Sequence, residues 1–373
     1  MSVQTQIFPD SQTNNNRLFS DCLSGKHAFY NAQDYYEATQ RDLSSKTILP
    51  VTYTANTEYT VFRIVKLILS IIIFPIGIYY LIHSLAGKLA LLPSSSPSLM
   101  GYNANHANNV RSNIPLNTEW KYKRLTIAVD GYEIDAMIMG KESTLGNGRW
   151  LLASNGNGEF YEDRLRSHEF KQIVSEIDGN AIVFNYPGVG ASSGLPNRQA
   201  MAKAYRAMLT FLEKEAEAKE IVGYGFSMGG GVQGDALNTH ELKEDVKYVF
   251  VKKQTFSDIA SAATHLTNSR VLGFIVRFFG WNSSSVESSK KLQAPEIIIQ
   301  TADVENTIEL TDGSKVVHDI AIPAEASLAK VLLDDDQCPK GNKTFFGIRE
   351  DHMTELKDTS FLTNQIEAYF REC

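Results

Sequence analysis

Residues 225–229 read Gly-x-Ser-x-Gly and lie inside a glycine-rich run, residues 223–231. The residues before this pattern, 220–224, are short, apolar and β-branched, which is typical of a buried parallel strand. The residues after it predict a helix that continues to about Thr239. Small residues let the backbone make a sharp strand-to-helix turn without Cβ clashes, and such a turn presents its serine to a substrate. Ser227 is therefore the candidate nucleophile. The alternative is a glycine-rich turn whose serine only caps the helix.

Two backbone N–H groups are candidates for an oxyanion hole. The start of the helix after Ser227 offers unpaired N–H groups and the positive end of a dipole, which favours the N–H of Met228. The second candidate follows the predicted strand Trp150–Ser154, where Asn155-Gly156-Asn157-Gly158 can turn N–H groups toward a substrate oxygen. We expect the N–H near Asn157 to be that donor. A plain glycine-rich turn is the alternative.

A general base is expected among the histidines that follow Ser227, which are His240, His265, His318 and His352. Only His352 is predicted to lie in a loop after a late strand, residues 343–348. A ring in such a loop can accept the serine proton, which suits general-base catalysis. A surface histidine without a catalytic role is the alternative.

Two aspartates are candidates for the third member of a triad. Asp303 lies close to the end of the predicted strand 296–301, and Asp319 leads into Pro323 and a predicted helix over 324–333. Asp319 is preferred because a strand-to-helix crossing there passes the site, and Asp303 is kept as the alternative acid. A hairpin is predicted between them, with strands at 307–310 and 315–317 around a Thr-Asp-Gly turn. The order serine, aspartate, histidine along the chain is that of an α/β-hydrolase.

Apolar residues around these loops predict a substrate pocket. Tyr186, Phe226 and Phe256 are its candidate walls. Residues 256–290 lie between two predicted strands and are apolar enough to form a small helical cap, which would favour acyl chains. Ordinary helix packing is the alternative for this segment.

The elements that must position these residues begin with an antiparallel pair on either side of Asp130-Gly131, a two-residue hairpin signal. Strands and helices then alternate, which predicts a mostly parallel sheet with helices on both faces. The predicted strands are 124–129, 132–139, 150–154, 181–185, 220–224, 246–252, 296–301 and 343–348. The predicted helices are 161–177, 197–219, 229–239, 324–333 and 361–370.

The chain before residue 120 is predicted to contain three segments. Residues 1–60 form a polar arm without a signal peptide, and residues 93–119 are a linker rich in Ser, Asn and Pro. Between them, residues 61–92 contain sixteen consecutive residues without a charge, Leu67 to Ile82, interrupted by Pro75 and Gly77. Three interpretations stay open: a helix packed on the core, an interfacial or re-entrant membrane anchor, and a membrane span.

The composition narrows the class of function. The formal net charge of −7 argues against a nucleic-acid partner. The three cysteines are widely spaced and odd in number, so neither a disulfide framework nor a metal site is predicted. We expect no cofactor. A reducing compartment fits this cysteine usage.

Several stretches resemble one known family of proteins. The stretches are IIIFPIGIY (71–79), SNGNGEFYE (154–162), NYPGVGASSG (185–194), GYGFSMGGG (223–231) and DIAIPAEASLAK (319–330). In these the chain is similar to the chlamydial CHLPS 43 kDa protein family and to related lipase-like effectors of Legionella. The resemblance implies an α/β-hydrolase with lipase or esterase activity from an intracellular pathogen, cytoplasmic or membrane-associated, and it names no substrate.

These observations together predict an α/β-hydrolase domain over residues 120–373 that cleaves lipid or acyl esters through Ser227, His352 and Asp319. A peptidase or thioesterase with the same triad is one alternative. A catalytically idle fold that docks on a membrane or host protein through residues 61–92 is the other.

Overall fold

The computed structural model of the chain describes residues 52–53 and 119–372. Ten strands form one sheet in the order β1-β2-β3-β5-β4-β6-β7-β8-β10-β9. They are β1 Thr52–Tyr53, β2 Trp120–Val129, β3 Tyr132–Lys141, β4 Arg149–Ser154, β5 Asn180–Phe184, β6 Glu220–Phe226, β7 Lys247–Lys253, β8 Glu296–Thr301, β9 Ile308–Glu309 and β10 Lys343–Ile348. Apart from β1 and residue 119, the predicted arm, hydrophobic segment and linker lie outside the described residues.

Nine helices belong to the described part of the chain. They are α1 Tyr161–Arg166, α2 His168–Glu176, α3 Arg198–Lys214, α4 Met228–Leu237, α5 Ile259–Thr267, α6 Arg270–Phe278, α7 Val286–Lys291, α8 Leu328–Leu333 and α9 Ser360–Glu372. None of these helices is both long enough and apolar enough to cross a membrane.

The predicted opening hairpin is confirmed. β2 and β3 pair antiparallel with Val129 opposite Tyr132, so only Asp130 and Gly131 form the turn. Both turn residues have positive φ, 49° and 80°, as a two-residue hairpin turn requires.

The centre of the sheet is parallel, from β5 through β4, β6, β7 and β8 to β10. Consecutive strand residues alternate between its two faces. Leu152 of β4 packs in a cluster with residues of α3, α4 and α5, whereas Leu151 packs in a second cluster with residues of α1, α2 and α9. This is the predicted α/β-hydrolase-like architecture, a mostly parallel sheet with helices on both faces.

The predicted cap, residues 256–290, contains α5, α6 and most of α7 between β7 and β8. It begins at the carboxyl end of β7, where Phe256 forms an antiparallel bridge with Ser327. The predicted cap segment therefore leaves the sheet at the edge where parallel strands place their ligand-binding loops.

Three predictions of local structure are wrong. The predicted hairpin over 307–317 does not form, because Ile308–Glu309 pairs antiparallel with the free edge of β10 and residues 313–315 form a 3₁₀ turn. The predicted helix over 161–177 is two helices, because Ser167 is extended and caps α2 by accepting from the N–H of Phe170. The helix over 324–333 is likewise interrupted at Ser327, which caps α8.

Candidate active site

Ser227 occupies the turn between β6 and α4. Its φ and ψ are 51° and −117°, a conformation that is uncommon for a residue with a side chain and costs of order 1–3 kcal/mol. Two residues further on, Gly229 packs so closely against β4 that a Cβ there would lie 2.2 Å from the carbonyl O of Ser154. A residue with a side chain would not fit at this position. The Ser227 N–H donates to the carbonyl of Lys253 at 3.0 Å, and the Thr255 hydroxyl donates to the Ser227 carbonyl at 2.6 Å. The serine is therefore held in its strained turn from both sides.

The imidazole of His352 lies between Ser227 and Asp319. Its Nε2 is 2.9 Å from Ser227 Oγ, and its Nδ1 is 3.3 Å from Asp319 Oδ2. All three side chains are buried. His352 lies in the loop after β10, at the carboxyl end of the sheet that also carries Ser227. The structure thus brings the three predicted residues together in the geometry that a nucleophile, a base and an orienting carboxylate need.

The carboxylate of Asp319 is fixed by four hydrogen bonds. Oδ1 accepts from the N–H groups of Ala321 at 2.9 Å and Ile322 at 2.5 Å. Oδ2 accepts from Gln300 Nε2 at 3.3 Å as well as facing His352. Asp303 is exposed, and its N–H donates to the carbonyl of Lys315. The structure therefore places Asp319, and not Asp303, against the histidine.

Asp351 connects the loop of Asp319 to the loop of His352. Its Oδ1 accepts from the N–H of Ile320 at 3.0 Å and from the N–H of His352 at 2.7 Å. These backbone hydrogen bonds lower the pKa of the Asp351 carboxyl below its usual value. Its carboxylate thereby ties the residue after Asp319 to the backbone of His352. The sequence pattern does not single out Asp351, although it directly precedes the predicted base.

The candidate oxyanion donors lie at the start of α4 and in the loop after β4. Met228 is the first residue of α4, so its N–H has no partner within the helix. Asn157 is exposed in the loop after β4. That loop is fixed on either side of Asn157, because the Tyr186 hydroxyl donates to the carbonyl of Asn155 at 2.8 Å and the Gly156 N–H donates to Glu159 Oε2 at 2.6 Å.

The candidate pocket residues differ in their surroundings. The Phe226 ring is half-buried, with its centroid 5.0 Å from that of His352, so it borders the site. Tyr186 is fully buried and supports the loop of Asn155. Phe256 is also buried, against Gly231 of α4. Of the three, only Phe226 is shown in ring contact with His352.

A buried ion pair beneath the site is absent from the sequence-based predictions. Lys253 Nζ lies 2.7 Å from Glu169 Oε2, and Glu169 also accepts from the Tyr224 hydroxyl at 2.6 Å and the Leu356 N–H at 2.7 Å. Burial alone would raise the pKa of Glu169, but Lys253 and these hydrogen bonds outweigh it, so the pKa lies below its usual value. The pair joins α2, the end of β7 and the loop after His352. A lysine at the end of an apolar strand is the only signal of it in the sequence.

The described part of the chain contains no candidate metal site, because no three of its His, Cys, Asp or Glu side chains form a group that could hold a metal ion. The chemistry that the arrangement supports is proton transfer from a serine hydroxyl to an imidazole.

The comparison with protein families identifies the chain's relatives. A model of the Chlamydia CHLPS protein family (DUF818) matches residues 35–370, and the chain belongs to this family. No curated protein sequence matches it.

Solved structures similar to the chain include three hydrolases. Esterase Pf2001 of Pyrococcus furiosus is 12% identical, with 68% of this chain and 90% of that chain covered and a TM-score of 0.48. An alpha-beta hydrolase from Vibrio vulnificus is 16% identical, with 48% and 63% covered and a TM-score of 0.40. An esterase from Exiguobacterium antarcticum is 14% identical, with 65% and 97% covered and a TM-score of 0.40.

Proposed function

We propose that the protein is a serine hydrolase that cleaves carboxylic esters through an acyl-enzyme. The observation that carries this proposal is the 2.9 Å distance between His352 Nε2 and Ser227 Oγ on a strained strand-to-helix turn. A serine hydroxyl becomes an effective nucleophile when an adjacent base can take its proton.

The reaction begins when Ser227 Oγ attacks the ester carbonyl and His352 Nε2 takes the hydroxyl proton. Asp319 accepts from Nδ1–H, which keeps Nε2 free to act as the base and stabilises the imidazolium that forms. The N–H groups of Met228 and Asn157 hold the oxyanion of the tetrahedral intermediate. His352 then protonates the leaving alcohol, and water attacks the acyl-enzyme with His352 again as base.

The proposed substrates are lipid or other acyl esters. Two features support this choice: the predicted cap segment with helices α5 and α6, which follows the carboxyl end of β7, and the half-buried Phe226 ring beside His352. The resemblance to lipase-like effectors of Legionella points the same way. Membership of a chlamydial family further suggests that the protein acts in an intracellular bacterium or its host cell.

The test uses p-nitrophenyl esters of graded acyl length and a fluorophosphonate probe. We expect the wild-type protein to hydrolyse these esters and to be labelled by the probe. Ser227→Ala should lose both activities. Hydrolysis of thioesters or peptides but not esters would favour the rival hydrolase classes. A folded wild-type protein without labelling or turnover would favour the idle fold.

A further inference from the structure

Helix α6 presents most of its apolar side chains to solvent. Five of its nine residues are large, apolar and between 37% and 67% exposed, namely Val271, Leu272, Phe274, Ile275 and Phe278. Only Gly273 and Val276 of this helix are buried. Leu266, near the end of α5, is 50% exposed beside them in the chain. Scattered exposed apolar residues are ordinary, but a continuous apolar helix face of this kind usually marks an interaction surface.

The arginines of α6 lie along one border of this face. At about 100° per residue, Val271, Phe274 and Phe278 fall within about 60° of one another. Arg270 and Arg277 fall about 20° apart, between that outward face and the buried stripe. Both arginines are exposed, and Arg277 lies 3.5 Å from the carboxylate of Asp258. The helix itself carries no carboxylate.

This distribution is typical of a helix that lies in the plane of a membrane interface. Such helices bury aromatic and aliphatic side chains at the boundary of the acyl chains, and their arginines extend to the headgroups. The net charge of the whole chain is −7, so an anionic surface would repel the protein as a whole. The two arginines of α6 supply a local attraction at the place where the apolar side chains are exposed.

The segment that contains α6 follows β7 and so leaves the sheet at the edge that carries the candidate site. The cap begins after Lys253, whose carbonyl accepts the N–H of Ser227. The two triad loops also expose apolar side chains directly after their catalytic candidates, Ile320 at 66% and Met353 at 82%. Exposed apolar residues therefore occur both on the cap that arises at this edge of the sheet and on the loops of the site itself.

We propose that α6 docks the protein on an anionic phospholipid bilayer. Val271, Phe274 and Phe278 enter the boundary between headgroups and acyl chains, while Arg270 and Arg277 contact the phosphates. Docking depends on the surface of α6 and not on the reaction, so Ser227→Ala should bind vesicles as the wild type does.

The test is flotation of the full-length protein with vesicles of phosphatidylcholine alone and of an equal mixture with phosphatidylglycerol. The wild type should float with the mixed vesicles. Phe274→Ser combined with Phe278→Ser should weaken binding at least tenfold, because two large apolar side chains no longer leave water. Arg270→Ala combined with Arg277→Ala should lower the affinity for the anionic vesicles by about fivefold per arginine and leave the affinity for phosphatidylcholine vesicles unchanged.

The matched control is Leu195→Ser, which removes a 49% exposed leucine from the loop before α3 and should leave flotation unchanged. Circular dichroism and the melting temperature check that each variant folds. Absence of wild-type flotation would overturn the proposal. Equal flotation of the double phenylalanine variant would also overturn it, by assigning attachment to another part of the chain such as residues 67–82. A third outcome would overturn it as well: a wild-type protein that does not bind vesicles but forms a dimer, which the double phenylalanine variant converts to a monomer.

Discussion

Replacing Asp319 by asparagine tests the assignment of the acid through the tautomer of His352. In the structure Oδ1 of Asp319 accepts two backbone N–H groups, from Ala321 and Ile322, and Oδ2 faces Gln300 Nε2 and His352 Nδ1. An asparagine must keep its carbonyl oxygen toward the two backbone donors. Its NH₂ group then points at the histidine.

An amide donor opposite Nδ1 favours the tautomer in which Nδ1 accepts and Nε2 carries the proton. Nε2–H can only donate to Ser227 Oγ and cannot take its proton. The corresponding change in a serine protease, which leaves the histidine in the same wrong tautomer, lowers kcat by about 10⁴. That factor corresponds to about 5 kcal/mol of transition-state stabilisation. Because the shape of the side chain is retained, we expect the fold and the substrate affinity to change little.

The assay is kcat and KM on a short p-nitrophenyl ester, with the melting temperature as the check on folding. Asp303→Asn is the matched control, since Asp303 is exposed and should tolerate the same change. A folded Asp319→Asn variant that retains most of its kcat would refute the tautomer argument. A large loss at Asp303 instead would transfer the role of the acid to that residue.

Two further predictions concern the residues that hold the loops. Glu169→Gln leaves Lys253 buried without its charge partner and should cost about 3–5 kcal/mol of unfolding free energy, measured by urea denaturation. The pKa of Glu169 is lowered in the folded state. Its contribution to the free energy of unfolding is therefore present above the unfolded pKa of about 4.3 and is lost as the pH falls through the folded pKa. Stability of the variant should therefore depend less steeply on pH in this acidic range than that of the wild type. An unchanged dependence on pH would contradict this. Asp351→Ala removes the acceptor that the N–H groups of Ile320 and His352 share. We expect kcat to fall by roughly tenfold to a hundredfold with a small change in melting temperature, because the histidine loses its alignment with Ser227. A variant with the kcat of the wild type would show that this link does not position the histidine.

Local sequence patterns predict the fold where they dictate local geometry. The Asp130-Gly131 pair predicts its hairpin because both residues tolerate positive φ, and the structure forms that turn. The strand and helix around Ser227 follow in the same way. The strand is predicted by a β-branched run, and the turn by glycines at positions where an added Cβ would clash. Alternation of such units is sufficient to predict the parallel sheet.

Local patterns mislead where a distant part of the chain decides the structure. Residues 307–310 are predicted to pair with 315–317, but the exposed edge of β10 offers a partner that is remote in sequence. Spacing along the chain also leaves two aspartates open as the acid. The choice depends on how the loop over 319–322 folds on itself, with the N–H of Asp319 donating to the carbonyl of Ile322 at 3.1 Å. A short stretch of sequence specifies neither the strand with which residues 308–309 pair nor the conformation of the loop over 319–322.

The ion pair of Glu169 and Lys253 is best understood by asking what an apolar replacement would leave behind. Buried ion pairs are often no more stabilising than well-packed apolar residues of similar size. An apolar pair, however, could not accept from the N–H of Leu356, four residues after His352, and a buried N–H without a partner costs about 1–3 kcal/mol. The same lysine contributes the backbone carbonyl that accepts from Ser227. The pair therefore joins the strand that supports Ser227 to the loop that carries His352. An apolar core at this position could not make that connection.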